Sequence, residues 1–246
     1  MNDDHKISFS IDRSKVRQAF KEYTSHYDQQ NPRISLKIRH TYRVADLTDR
    51  ITGSLGLTAP DRDLAWLIGI LHDIGRFEQE RIYHTLNDAK STNHARLGAD
   101  LLFKEDLIDS FVSVSQPVAA LALIEKAVRL HNVLDLPKAL TDRERLFCQI
   151  IRDADKVDIM WIMCVTPVEE IMKVSREDFL NSPISPAVYE DIMAGRIVDR
   201  SKMRTVMDVR VSHLAFVNGL VYPESRKLVK EQGTLKGLLE DRTSVV

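Results

Sequence analysis

The chain has 246 residues, of which 43% are apolar and 29% charged, with a formal net charge of −1. That length suits one large domain or a domain with an extension, and the composition is that of a globular protein. The balanced charge offers no basic field for nucleic acid or an anionic membrane surface, and no apolar stretch approaches the roughly 20 residues that span a bilayer.

The first residues, Met1-Asn2-Asp3-Asp4-His5-Lys6, are polar and lack the apolar core of a signal peptide. The two cysteines, Cys148 and Cys164, sit in apolar contexts and read as buried, reduced thiols. A cytoplasmic protein is expected. Glycine and proline are sparse and helical periodicity dominates, which predicts an all-α fold.

In chain order, residues 1–10 are expected to fray. A polar amphipathic helix is expected from Asp12 to Gln30, and Asn31-Pro32 breaks it. A second helix, from about Ser35 to Leu55, puts Leu36, His40, Val44, Leu47 and Ile51 on one stripe. Thr58-Ala59-Pro60-Asp61 starts a third helix, whose uncharged run Leu64–Leu71 leads into His72-Asp73. Residues 77–91 are polar and read as an irregular connection. Ser91 or Thr92 then caps a helix bearing His94, Leu97, Gly98 and Leu101. After a break at Ser113–Pro117, a helix carries Val118, Leu121, Ile124, Val128 and His131. Thr141-Asp142-Arg143-Glu144 fits a capping box for a helix with Phe147, Ile151, Asp155 and Ile159 in line.

Beyond Thr166 the pattern weakens, and the alternation over residues 197–212 suits a short strand or an irregular stretch. The organisation expected is an N-terminal helical segment (1–34), a helical core (35–160) and a mostly helical C-terminal extension packed on it (161–246). Met160-Trp161-Ile162-Met163 reads as core first and as an oligomer contact second, and Trp66 reads as packing.

His40, His72-Asp73, His94, His131 and Asp155 fall on apolar stripes or at their ends, each on a different expected helix. A lone histidine on an apolar face is usually a satisfied core residue. A core does not satisfy this many buried imidazoles and carboxylates cheaply. Divalent metal does, since neutral imidazole and carboxylate are its usual ligands and helical bundles a usual scaffold. Four histidines and two aspartates exceed the needs of one ion with an open position. They suit two ions bridged by a carboxylate and a hydroxide.

Ordered as His40, His72-Asp73, His94, His131, Asp155, this pattern resembles the HD-domain superfamily of metal-dependent phosphohydrolases. The resemblance covers roughly residues 35–160. It includes the local words Arg39-His40, Leu71-His72-Asp73-Ile74-Gly75-Arg76 and Arg152-Asp153-Ala154-Asp155-Lys156. It implies an HD-domain helical bundle in which His40, His72, Asp73 and Asp155 hold a first metal. His94 and His131 match the two-metal subset, with Asp73 bridging. Asp155 is favoured over Asp153 because it shares the stripe of Ile151 and Ile159.

No Gly-Tyr-Pro follows His131, as it would in the cyclic-dinucleotide phosphodiesterases of the superfamily. The paired acids of its guanosine-tetraphosphate hydrolases and the His-rich continuation of its dNTP triphosphohydrolases are also missing. What remains resembles the small stand-alone HD hydrolases.

The expected function is hydrolysis of a phosphate ester or anhydride, with a nucleotide or a small phosphorylated metabolite as substrate, by a metal-activated hydroxide. Two divalent ions (Mn, Fe, Mg, Ni or Zn) are expected as cofactors. Cations should meet the phosphate: Arg76 and Lys90 are the first candidates for catalysis and substrate binding, with Arg43 and Lys156 behind them. Glu78 or Asp88 would assist proton transfer. The alternatives are a di-iron HD-type oxygenase, which shares the ligand pattern, and a nucleotide-binding regulatory HD module without turnover. Oligomerisation stays open.

Overall fold

A computed structural model of the chain describes residues 9–113 and 115–240. Among these residues every regular element is a helix, α or 3-10, and no strand occurs. None of the helices is long and apolar enough to cross a membrane. The chain divides into two compact units, residues 1–154 and 155–246.

The first unit contains α1 (Arg13–Ser25), α2 (Pro32–Ser54), α3 (Ala59–Leu71), α4 (Gly75–Tyr83), α5 (His94–Lys104) and α6 (Val118–Leu130). It also contains the first part of α7 (Asp142–Val165), within which the unit boundary falls. Residues 1–8 lie outside the described residues. Phe9 departs from the expected fraying: it is buried in the core.

Asp12 caps α1 by accepting from the backbone N–H groups of Ser14 and Lys15. The helix stops at Ser25, short of the expected Gln30, because Asp28 and Asn31 draw the backbone into turns. Asp28 accepts from Gln30 N–H, while Asn31 caps α2 with Pro32 in its first turn. The Thr141–Glu144 capping box is present in both directions, side chain to backbone at 3.2 and 2.8 Å.

α2 and α3 cross in close backbone contact at Gly69. A Cβ there would lie 2.7 Å from Ala45 Cα, so only glycine permits the approach. The uncharged run Leu64–Leu71 is wholly buried, Trp66 included, and Arg13 and Arg17 each stack at 5.1 Å over the Trp66 ring.

The expected irregular connection at residues 77–91 is corrected. Gly75–Tyr83 is helical, and only the stretch from His84 to Asn93 is a loop, itself holding a 3-10 turn at Asp88–Lys90. Hydrophobic periodicity misses α4 because its buried face is mostly polar: Arg76, Gln79 and Glu80 beside Phe77. Each is paired internally, and Phe77 packs edge-on against Phe20 and Tyr23 of α1. Asn93, rather than Ser91 or Thr92, caps α5. On α6 the buried stripe is Ala120, Leu123, Ile124, Ala127 and Val128, and Val118 points to solvent.

The second unit holds the rest of α7 and α8 (Val168–Met172), α9 (Arg176–Leu180), α10 (Pro186–Met193), α11 (Val206–Leu214), α12 (Pro223–Gln232) and α13 (Thr234–Glu240). Val188, Val198 and Ala215 form a small core there with Ile192, Met203 and Val211. The stretch 197–212 forms no strand. It passes through a 3-10 turn at Arg200–Lys202 and enters α11, started by a capping box between Thr205 and Asp208. Met160, Ile162 and Met163 are buried, in line with the core reading, and so are both free cysteines.

Candidate metal centre

Four helices of the first unit deliver the site. His40 lies in the buried stripe of α2. His72 is the residue that ends α3, with Asp73 next in the turn before α4. His94 is the first residue of α5, and His131 ends α6. All five side chains are buried.

Their positions follow from helix crossings. A Cβ on Gly75 would lie 2.3 Å from His94 O and 2.5 Å from Gly98 N. The turn after Asp73 therefore abuts the start of α5, which sets His94 against Asp73. Tyr23 of α1 supports the same turn by donating to Ile74 O at 3.1 Å.

The hydrogen bonds fix what three of the four imidazoles offer. A carbonyl oxygen only accepts, so His72 Nδ1, 2.7 Å from Gly69 O, carries the proton, and so does His131 Nδ1, 2.8 Å from Val128 O. His94 Nδ1 lies 2.7 Å from the Asp88 carboxylate and is protonated by the same logic. The Nε2 atoms of these three rings are therefore bare lone pairs, and they converge. His94 Nε2 and His131 Nε2 are 3.0 Å apart, and Asp73 Oδ1 lies 3.3 and 3.7 Å from them. His72 Nε2 and His40 Nε2 are 3.3 Å apart, and Asp73 Oδ2 lies 3.6 and 3.5 Å from them.

The result is two donor groups, His40–His72–Asp73 and Asp73–His94–His131, each compact enough to hold a metal ion and sharing one carboxylate. Lone pairs facing each other in a buried site repel unless a cation lies between them. The donor set therefore fits divalent metal, and Asp73 offers one oxygen to each group.

The electrostatics agree. Burial, followed by the charge of Arg76, pushes His94 down to about 3 in spite of its bond to Asp88, so its ring is neutral at physiological pH. Burial disfavours the charged form of Asp73. The ammonium of Lys37 and the neighbouring His72 outweigh it and hold the carboxyl well below the ordinary range. Asp88 is likewise held low against burial, by the hydrogen bond from His94 and by Arg76.

Around the ligands is a ring of supporting groups. Asp88 also takes bonds from Arg76 Nη1 at 2.9 Å, Gln79 Nε2 at 3.0 Å and Asn132 Nδ2 at 3.2 Å. Gln79 reaches Ser91 Oγ at 2.8 Å and Thr92 O at 2.9 Å, tying the loop to α4. Arg152 of α7 donates to Leu134 O at 2.8 Å and to Val133 O, pinning the chain just after His131.

The structure thus brings together five of the six expected ligands. Asp155 falls at the head of the second unit, half-buried on α7, whereas Asp153 is fully buried and accepts from Gln149 Nε2 at 3.0 Å. The expected phosphate cations differ in setting. The Arg76 guanidinium is committed to Asp88, Gln79 and Leu86 O, with Nε 3.5 Å from Asp73 Oδ1. Lys90 is exposed on the 3-10 turn, Arg43 is half-buried on α2, and Lys156 is buried on α7 in the second unit. Glu78 is held by Arg81 and Tyr27, and Asp88 serves His94.

Lys37, Gln79, Asn132 and Arg152 were not among the expected site residues. Lys37 carried a usable signal, three positions before His40 on the same helical face. Asn132 carried only its adjacency to His131. Gln79, in a polar stretch, carried none.

The first unit is thus an all-helical bundle presenting a buried histidine–aspartate cluster with two groups that could each hold a metal ion, a candidate metal centre. A model of the HD domain matches residues 38–160, half of the chain, and the chain belongs to the HD domain family. A solved structure, that of a predicted HD superfamily hydrolase from an uncultured Thermotogales bacterium, is similar at 18% identity and a TM-score of 0.45. The match covers 94% of this chain and 87% of that one. No curated protein matches the sequence.

Proposed function

We propose that this chain is a metal-dependent phosphohydrolase that cleaves a phosphate ester or anhydride, with a nucleotide or small phosphorylated metabolite as its substrate. In this reading His40, His72 and Asp73 hold one divalent ion, and Asp73, His94 and His131 hold a second. What supports it above all is the shared carboxylate: Asp73 turns one oxygen to the His40–His72 pair and the other to the His94–His131 pair.

Divalent ions, when bound, polarise phosphoryl oxygens and lower the pKa of a water toward neutrality. The protein's own contribution is orientation. Gly69 O and Val128 O fix the tautomers of His72 and His131, and Asp88 does the same for His94, so that all three present Nε2 inward. Arg76 acts through Asp88 and is a positioning residue. The burial of all five ligands keeps bulk water from competing for them.

The test is phosphate release from p-nitrophenyl phosphate and a nucleotide panel by protein loaded in turn with Mn, Fe, Mg, Ni and Zn. Turnover is expected with at least one metal, and it should vanish with chelator and in the His72→Ala/Asp73→Ala variant. Full activity in that variant, or turnover that requires oxygen, would sink the assignment.

A further inference from the structure

Lys37 lies on α2 three residues before His40, so the two side chains share a face. Its Nζ sits 2.5 Å from Asp73 Oδ2, the oxygen that also faces His40 Nε2 and His72 Nε2. An ammonium is thus held against the carboxylate oxygen that the first donor group offers to a cation. The Lys37 side chain is 14% exposed and Asp73 only 3%, so the ammonium reaches in from the solvent side.

We propose that Lys37 is an exchangeable counter-ion. It neutralises Asp73 while the centre is metal-free, leaves Oδ2 when a divalent ion binds there, and then provides the cation that holds an anionic phosphoryl group beside the centre. The last of these roles rests on the phosphohydrolase reading; the first two do not.

Three physical points carry it. A buried carboxylate ringed by imidazole lone pairs needs a positive charge, and Lys37 supplies one directly. Two cations on one oxygen repel, and the monovalent one on a flexible four-carbon stem is the one free to move. Among the other candidate cations, Arg76 is committed to Asp88, Gln79 and Leu86 O, and its planar fork does not swing without breaking those bonds. Lys90 is exposed on its turn.

Titration with Mn²⁺ alone tests the displacement. Lys37→Met should bind the first Mn²⁺ about tenfold more tightly than wild type, since the competitor is gone. Equal or weaker binding would overturn the counter-ion role. A second readout uses only wild-type protein and so does not depend on the variant folding. Acetylation of Lys37 by an amine-reactive ester, followed by mass spectrometry, should accelerate when Mn²⁺ is added; an unchanged rate contradicts displacement.

Binding of inorganic phosphate to the Mn²⁺-loaded proteins tests the substrate role. It should be about tenfold weaker in Lys37→Met, and equal binding would remove that role. Tighter Mn²⁺ binding by Lys37→Met in a protein that cleaves no phosphoester would discard the phosphohydrolase reading and keep the counter-ion. An active enzyme whose Mn²⁺ affinity ignores the substitution would do the reverse.

Discussion

Asp88 determines how His94 can act, although it belongs to neither donor group. Its carboxylate accepts the Nδ1 proton of His94, and that bond leaves Nε2 bare toward His131 and Asp73. Arg76, Gln79 and Asn132 in turn hold Asp88. Losing such an outer partner typically weakens metal binding about 10–100-fold. In Asp88→Asn the amide group can meet His94 Nδ1 through its NH₂ as well as its oxygen, and the fixed tautomer is lost. Calorimetric titration with Mn²⁺ should show one of two sites, the one that uses His94, falling by about that factor, with the other unchanged. Equal losses at both sites would mean that Asp88 serves general stability and not His94.

Between elements, the site depends on two glycine-mediated crossings: Gly69 against Ala45, where α3 meets α2, and Gly75 against His94 and Gly98, where α4 meets α5. The second sets the distance between Asp73 and His94. Gly75→Ala would drive a methyl into backbone atoms at 2.3 and 2.5 Å, which the main chain cannot relieve by a rotamer change. The expected cost is about 1–3 kcal/mol or more, read as a melting temperature lower by several degrees. The separation of α4 from α5 should also weaken Mn²⁺ binding at the His94–His131 group. A variant with wild-type melting and Mn²⁺ affinity would show that the crossing has slack.

At the same scale one can see which parts were legible in the sequence. His40, His72, His94 and His131 stood out because an imidazole on an apolar stripe breaks a pattern that is otherwise unbroken. The Thr58 and Thr141 helix starts stood out through their capping residues. α4 did not, because helices are recognised by apolar periodicity and this one buries Arg76, Gln79 and Glu80. Arg76 and Gln79 satisfy each other and the following loop across gaps of 3 to 13 residues, Glu80 accepts from Asn31 and Arg33 on the far side of the sequence, and no local pattern announces such pairings. The same holds for Arg76, expected as a phosphate cation, which is a buried brace on Asp88, Gln79 and Leu86 O. In the second unit the helices are short and start at polar caps such as Ser175 and Thr205, so alternation at 197–212 imitated a strand.

For the molecule as a whole, an HD domain over half the chain frames a histidine–aspartate cluster whose two groups could each hold a metal ion. The aromatic group Phe20, Tyr23, Tyr27 and Phe77 joins α1 to the turn after His72-Asp73, so residues ahead of the matched domain also shape the centre. The central claim is that one carboxylate serves two metal positions. Metal content by elemental analysis after Mn²⁺ loading and gel filtration tests it most directly. Two ions per chain are predicted for wild type, one for His94→Ala/His131→Ala, and none retained by His72→Ala/Asp73→Ala. A single ion in wild type, kept when His94 and His131 are both replaced, would contradict it.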